Sequence, residues 1–441
     1  MSTEQLFEKY QQRVLANADT YIASYKQVFE EVAHSVAEYK DKPVEFLYQP
    51  MFLTETDIRR FTQLTHQLYG ILEKVICKYL EDENFRVHFG FDPLLEALIL
   101  KDPGYEPDIP IGRFDIFYNF DSGRFQFCEL NTDGSSGMIE QQELARIFKA
   151  STAIKEIEKT HTLQDFELFD SWVQIVKNKY AEFSRSNDLP QVALVDWFSG
   201  KIPSEFIEYQ KAFQRAGCPT RVVDVRSLDY RDGKLYHENF RIDCVYRRLV
   251  TAEAMAHADA CKPFFDAYLN GDVCVVGPFR SQIAHNKVIF ALLHDVEKTP
   301  FLSEEDRDFI REHIPYTRIF DSGDPQMVMA ARENKDQLVL KPMDKYASHG
   351  VRIGRDYTSE QWEGIIREEA GQDYLLQEFC IVPKLPMAFF NRENVRFIDS
   401  NYIIGLYLYD GKFQGIYTRA GTKNIIGSIV ECFTVPNFVV R

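Results

Sequence analysis

Two short stretches hold residue types suited to phosphate and metal chemistry: Arg113-Phe114-Asp115 and Glu129-Leu130-Asn131. Side chains on a strand alternate between faces, so Arg113 and Asp115 share one face, as do Glu129 and Asn131. Between them lies a turn cluster, Asp121-Ser122-Gly123, with glycine where a left-handed residue is required. With those three residues as the loop after a type I turn, Asp115 falls opposite Glu129 and Arg113 opposite Asn131. Like charges directly opposed destabilise a strand pair. A hard cation that prefers carboxylate and amide oxygens removes that penalty, and Mg²⁺ beside phosphate is the usual case. The alternative is an exposed hairpin with scattered charges. Phe125 and Phe127 read as lying on the face of Glu129, which would bury that face and oblige its carboxylates to find partners. Cys128 then points the other way, into the core.

Three further segments could complete a nucleotide site. Lys341 ends an apolar strand and leads into a loop that returns through Gly350 and Gly354. A lysine supplies a point charge to phosphates and a loop supplies backbone N–H groups, although a solvated strand end would look similar. Asn286-Lys287 opens a helix, whose N-terminus favours anions. Gln377-Glu378, on a strand ending in Val-Pro, could offer backbone edges and an acid to adenine and ribose. No Ser/His/Asp or Cys/His arrangement supports nucleophilic catalysis, and His285 and His349 read as site-edge or surface residues.

The elements that must position these groups follow from patterning. Gln5 to Tyr39 has apolar residues at helical spacing, and Thr54-Glu55-Thr56-Asp57 offers N-cap residues for a helix to about Leu80. Gln191 to Asp196 reads as a buried parallel strand, followed by a helix from Glu205 to Ala216. Strands at Thr220 to Val225, Phe240 to Arg248 and Val273 to Val276 complete a strand–helix alternation that implies a mostly parallel layer. A helix follows Asn286, and Ser303 caps the next. The strands of Lys341 and Gln377 flank a helix near Ser359 to Glu369, and Ile403 to Val440 alternates strands and turns.

Composition sets the outer bounds. The 441 residues suffice for two or three domains, and 45% hydrophobic with 27% charged residues matches ordinary globular proteins. A net charge of −16 disfavours nucleic acid and mildly favours cationic small molecules such as amines. No secretory leader opens the chain and no apolar run approaches a membrane span, so a cytoplasmic protein with no membrane partner is expected. Eight scattered cysteines without a Cys-x-x-Cys argue for reduced, mostly buried thiols and against zinc.

Taken in order, Arg-x-Asp, Glu-x-Asn-x-Asp, Asn-Lys opening a helix, a strand ending in Lys-Pro, and Gln-Glu resemble the glutathionylspermidine synthase-like family. Those are ligases whose C-terminal synthetase domain is a circularly permuted ATP-grasp. The similarity runs from about residue 105 to the C-terminus and is strongest at 113–140, 278–300, 338–354 and 374–383. Permutation is what places the metal end before Lys341. The resemblance implies Asp115, Glu129 and Asn131 as Mg²⁺ ligands and Arg113 as the group steadying the transferred phosphoryl. It implies Lys287 and Lys341 at the ATP phosphates, Gln377 and Glu378 along the adenine, and Asp133, Ser135 and Ser136 at the carboxylate substrate.

The fold expected is thus α/β (α+β), a permuted ATP-grasp with a pre-ATP-grasp-like α/β layer and a helical N-terminal region. The boundaries expected are 1–104 for the helical region, 105–150 for the metal-binding part, 151–280 for the α/β layer and 281–441 for the nucleotide-binding part, with a lid-like subdomain at about 310–385. The function expected is an ATP- and Mg²⁺-dependent ligase joining a small-molecule or peptide carboxylate to an amine or thiol. A movable loop at 343–350 would exclude water from an acyl phosphate. A non-catalytic nucleotide-binding protein and a phosphotransferase using the same metal site are the alternatives.

Overall fold

The structure, a computed structural model, describes residues 2–39, 42–345, 349–369, 373–427 and 430–441. Ser2 and Thr54 form reciprocal capping boxes with Gln5 and Asp57, and so open the helices Thr3–Ala16 and Glu55–Glu81. The helix expected over Gln5 to Tyr39 is in fact two, Thr3–Ala16 and Ala18–Ala33. It breaks at Asn17, whose side-chain amide donates to the Arg13 carbonyl (3.3 Å) and competes with the helical ladder. Along Glu55–Glu81 the buried residues Phe61, Leu64, Leu68, Leu72, Val75 and Tyr79 recur at steps of three and four, the stripe a helix needs to pack on a sheet.

That stripe rests on a six-stranded antiparallel sheet. Its order is Phe433–Val435, Lys412–Gly421, Val395–Tyr409, Ile111–Tyr118 and Phe125–Asn131, with Lys384–Phe390 also paired to Val395–Tyr409. A second, four-stranded antiparallel sheet runs Thr317–Ile319, Tyr374–Glu378, Leu338–Pro342, Arg352–Ile353. The expected parallel layer is present: Cys274–Val276, Cys244–Arg247, Val192–Asp196, Thr220–Asp224. The strand read as Phe240 to Arg248 divides at Asp243, whose carboxylate accepts the Gln191 N–H (3.0 Å). Phe240–Ile242 joins a small antiparallel sheet, and Cys244–Arg247 enters the parallel one. The C-terminal strand Asn437–Val440 lies parallel to Met51–Thr54 and ties the N-terminal region to the end of the chain.

The hairpin differs from its expected form in two ways that cancel. The loop has four residues, Phe120 to Gly123, closed by Asn119 N–H to the Arg124 carbonyl and Gly123 N–H to the Asn119 carbonyl, both 2.8 Å. The Asn119 side chain accepts the Ser122 N–H (2.8 Å), which draws one more residue into the turn, and Gly123 is left-handed at φ 66. Alone, a four-residue loop would offset every pair by one. The pairs nearest the loop are so offset, with Ile116 opposite Phe127 and Tyr118 opposite Phe125. A bulge at Cys128 then restores the register, so that Asp115 faces Glu129 and Arg113 faces Asn131. The bulge also corrects two side-chain directions. Phe125 and Phe127 are buried on the core face with Phe114 and Ile116, opposite to Glu129, and Cys128 lines the cleft beside Glu129.

All eight cysteines are free thiols, five of them buried. Among the described residues no helix is long and apolar enough to cross a membrane. Of the loop at 343–350, residues 346–348 lie outside the described residues.

Candidate active site

The strand pairing brings Arg113, Asp115, Glu129 and Asn131 to one face. Asp115 is almost fully buried there and receives three side chains: Arg113 (Nε to Oδ1, 2.8 Å), Arg419 (Nη2 to Oδ2, 2.5 Å) and Asn131 (Nδ2 to Oδ2, 3.1 Å). Gly405 lies opposite Asp115 on the neighbouring strand. A Cβ there would come within 2.8 Å of both Arg113 Cδ and Asp115 Oδ1, so glycine is what allows this pair to lie across the strand. The ring of Tyr417 supports both guanidinium groups, at 5.5 Å from Arg113 and 5.7 Å from Arg419. Arg419 escaped the sequence reading. It belongs to no local motif and reaches Asp115 only because Lys412–Gly421 is two strands from the hairpin in the sheet.

Glu129 is held by Lys287 (2.9 Å). Burial pushes its carboxyl up, but Lys287, with Lys341 and His285 behind it, overrides burial and holds it at about 2. The Lys287 ammonium also donates to the Lys345 carbonyl (2.8 Å), and Lys341 donates to the carbonyl of the bulged Cys128 (3.2 Å). Four cations, Arg113, Arg419, Lys287 and Lys341, thus surround two carboxylates. That excess of positive charge suits a polyanion. Among the described residues no three His, Cys, Asp or Glu side chains cluster as metal ligands. Asp115 and Glu129 with the Asn131 amide are nonetheless an all-oxygen donor set of the kind a hard cation takes.

Two cavities adjoin this face. An open cleft of about 740 Å³ lies between the two antiparallel sheets, lined by Lys287, Lys341, Lys345, Gln377, Glu378 and apolar residues such as Val339, Ile353 and Ile403. Gln377 is buried and donates to Thr317 Oγ1 (2.8 Å), while Glu378 is exposed at the rim. A wider cavity of about 1650 Å³ opens on the other side, lined by Arg113, Asn131, Ser135, Ser136, Glu140 and Arg419 among others. Glu129 lines both.

The segment after Asn131 shapes the second cavity. Asp133 is buried against Arg247 (2.6 Å), and its other oxygen accepts the Thr251 N–H (2.6 Å). Burial pushes its carboxyl up, but Arg247 and His285 bring it below the usual carboxylate range. Asp133 therefore pins the hairpin to the end of the parallel sheet. Ser135 Oγ donates to the Asn131 carbonyl (2.5 Å), and the Ser136 carbonyl accepts from Arg113 (2.5 Å) and Tyr407 (2.6 Å). Helix Met138–Phe148 begins next, its first N–H groups capped from outside by Glu205, which accepts from Gly137 (3.2 Å) and Met138 (2.9 Å) and pairs with Arg248 (2.9 Å). Glu205 and Glu140 also carry no local signal in sequence, since both are acids in first turns of helices, where carboxylates are commonplace.

No family model matches the chain. It is 29% identical over 174 residues to a Frankia alni protein provisionally named glutamate–cysteine ligase 2-3, a match covering 37% of this chain and 19% of that relative's length. Over 94% of this chain and 96% of the other, it superposes with a TM-score of 0.59 and 12% identity on GSS30, a glutathione synthetase-like effector from Globodera pallida in its apo form. The chain shares the fold of that effector.

Proposed function

We propose that this protein is an ATP- and Mg²⁺-dependent ligase of the permuted ATP-grasp type, joining a small-molecule or peptide carboxylate to an amine or thiol through an acyl phosphate. The observation that carries the reading is the meeting of the two cavities at Glu129. The cleft between the sheets has the basic floor and apolar walls that a nucleotide requires, and the polar cavity beyond Glu129 offers room for an acceptor. In this reading Lys287 and Lys341 take the ATP phosphates, and Gln377 and Glu378 lie along the adenine. The sheet that carries Lys341 and Gln377 acts as the lid.

Asp115, Glu129 and Asn131 would hold Mg²⁺, which when bound neutralises charge on the transferring phosphoryl. Arg113, fixed by Asp115 and the Ser136 carbonyl, braces the in-line transfer, and Arg419 adds a second guanidinium. Ser135 and Ser136 stand where the carboxylate substrate would be received. Asp133, engaged by Arg247, positions them and leaves the substrate to its neighbours. The similarity to the glutamate–cysteine ligase and the motif order of the glutathionylspermidine synthase-like family make glutamate, cysteine, glutathione and spermidine the substrates to try first.

ADP release measured with acid and amine omitted in turn tests the reading. Sustained ADP turnover that requires both substrates, with a single enzyme equivalent from the acid alone, is the expected result. Sustained turnover with the acid alone and a stable phosphorylated acid as product would mark a phosphotransferase, and none with any pair a nucleotide-binding protein.

A further inference from the structure

Two buried carboxylates stand side by side at the start of helix Met138–Phe148, and only one is spoken for. Glu205 is saturated, with two backbone N–H groups on one oxygen and Arg248 on the other. Glu140 is 6% exposed and lines the acceptor cavity, yet its Oε2 has no hydrogen-bond partner among the described residues. A buried carboxylate oxygen without a partner is costly and calls for an explanation, of which a catalytic role is one. The groups facing it are Glu205 from helix Ser204–Arg215, Arg113 from the hairpin and Arg248 beyond the parallel sheet. Tyr407 and Tyr417 from the large sheet, and Cys432, complete the surroundings.

Within the ligase reading, on which this rests, we propose that Glu140 receives the proton of a cationic amine acceptor and so makes the acceptor nucleophilic. Its place fits the task. Arg113 donates to the carbonyl of Ser136, four residues before Glu140, and both side chains line the same cavity, so the acid and the group assigned to the transferred phosphoryl share one space. The incoming R–NH₃⁺ gives one proton to Glu140 Oε2. The freed nitrogen lone pair forms the C–N bond to the acyl carbon. The acyl C–O bond to phosphate breaks with its electron pair, and the second nitrogen proton leaves with the phosphate. Burial, and next the charge of Glu205, push the Glu140 carboxyl well above the ordinary carboxylate range, which makes its ionised form a stronger base than an exposed glutamate.

Hydroxylamine separates this role from all others, because it is neutral at pH 7 and attacks acyl phosphates without a base. Wild type and Glu140→Gln are compared with L-glutamate, γ-glutamylcysteine and glutathione as acids. The nucleophiles are hydroxylamine and the cationic amines L-cysteine, methylamine and spermidine. The variant is expected to form hydroxamate at a rate within about threefold of wild type while amide formation falls roughly 100-fold, recovering as pH rises towards the pKa of the amine. Hydroxamate formation also certifies that the variant is folded. Equal loss on both nucleophiles, no loss on either, or a wild type that makes hydroxamate but no amide would overturn the role of Glu140. A wild type that makes neither product would instead sink the ligase reading itself.

Discussion

At Asp115 and Glu129 the site stores opposite charge in contact, and each contact makes a measurable claim. Among the described residues Lys341 lines the cleft and donates to the Cys128 carbonyl alone, so its charge is available to a phosphate. Lys341→Ala should weaken ATP binding by about 1.5–3 kcal/mol, read by calorimetry with Mg²⁺ present. Unchanged affinity would reduce Lys341 to a tether of the bulge. Glu129 gives a pH signature. Its folded-state carboxyl titrates at about 2 against an ordinary 4.5, so its contribution is complete above about pH 4.5 and is lost as pH falls towards 2. That contribution is at most about 3 kcal/mol. Thermal unfolding over this window should therefore steepen in wild type relative to Glu129→Gln, and parallel curves would remove the ion pair from the acid response. The acids and Arg113 were legible because they stand two residues apart on a strand. Arg419 and Glu140 were not, because only tertiary pairing brings one to Asp115 and buries the other.

Helix caps and strand runs were the elements most readily legible, since Thr54, Ser303 and Lys341 announce their elements locally. The hairpin register was right for an incomplete reason: loop length is set by a side chain, Asn119, and the bulge at Cys128 compensates. No residue type at Cys128 signals a bulge, and its consequence, a carbonyl freed for Lys341, exists only in three dimensions. The junction between hairpin and parallel layer has its own test. Glu205 caps helix Met138–Phe148 and neutralises the buried Arg248. Glu205→Gln leaves that guanidinium without its countercharge and should cost about 3–5 kcal/mol in urea unfolding. A loss below about 1 kcal/mol would mean that Arg248 finds another partner or water.

Across the whole molecule, two antiparallel sheets enclose the cleft, the parallel layer backs the wider cavity, and the N-terminal helices brace the large sheet. Alternation of strands and helices made the parallel layer legible. The pairing of Asn437–Val440 with Met51–Thr54 was not, because a four-residue strand pairs with a partner almost four hundred residues away and carries no motif. The central claim is that a triphosphate in the cleft meets a metal at the hairpin, next to the acceptor cavity. Anomalous diffraction from crystals grown with a non-hydrolysable ATP analogue and Mn²⁺ in place of Mg²⁺ tests it most directly. The expected map has the adenine along Gln377 and Glu378, the γ-phosphate between Lys287 and Arg113, and Mn²⁺ on Asp115, Glu129 and Asn131. Mn²⁺ away from that face, or a triphosphate outside the cleft, would contradict it.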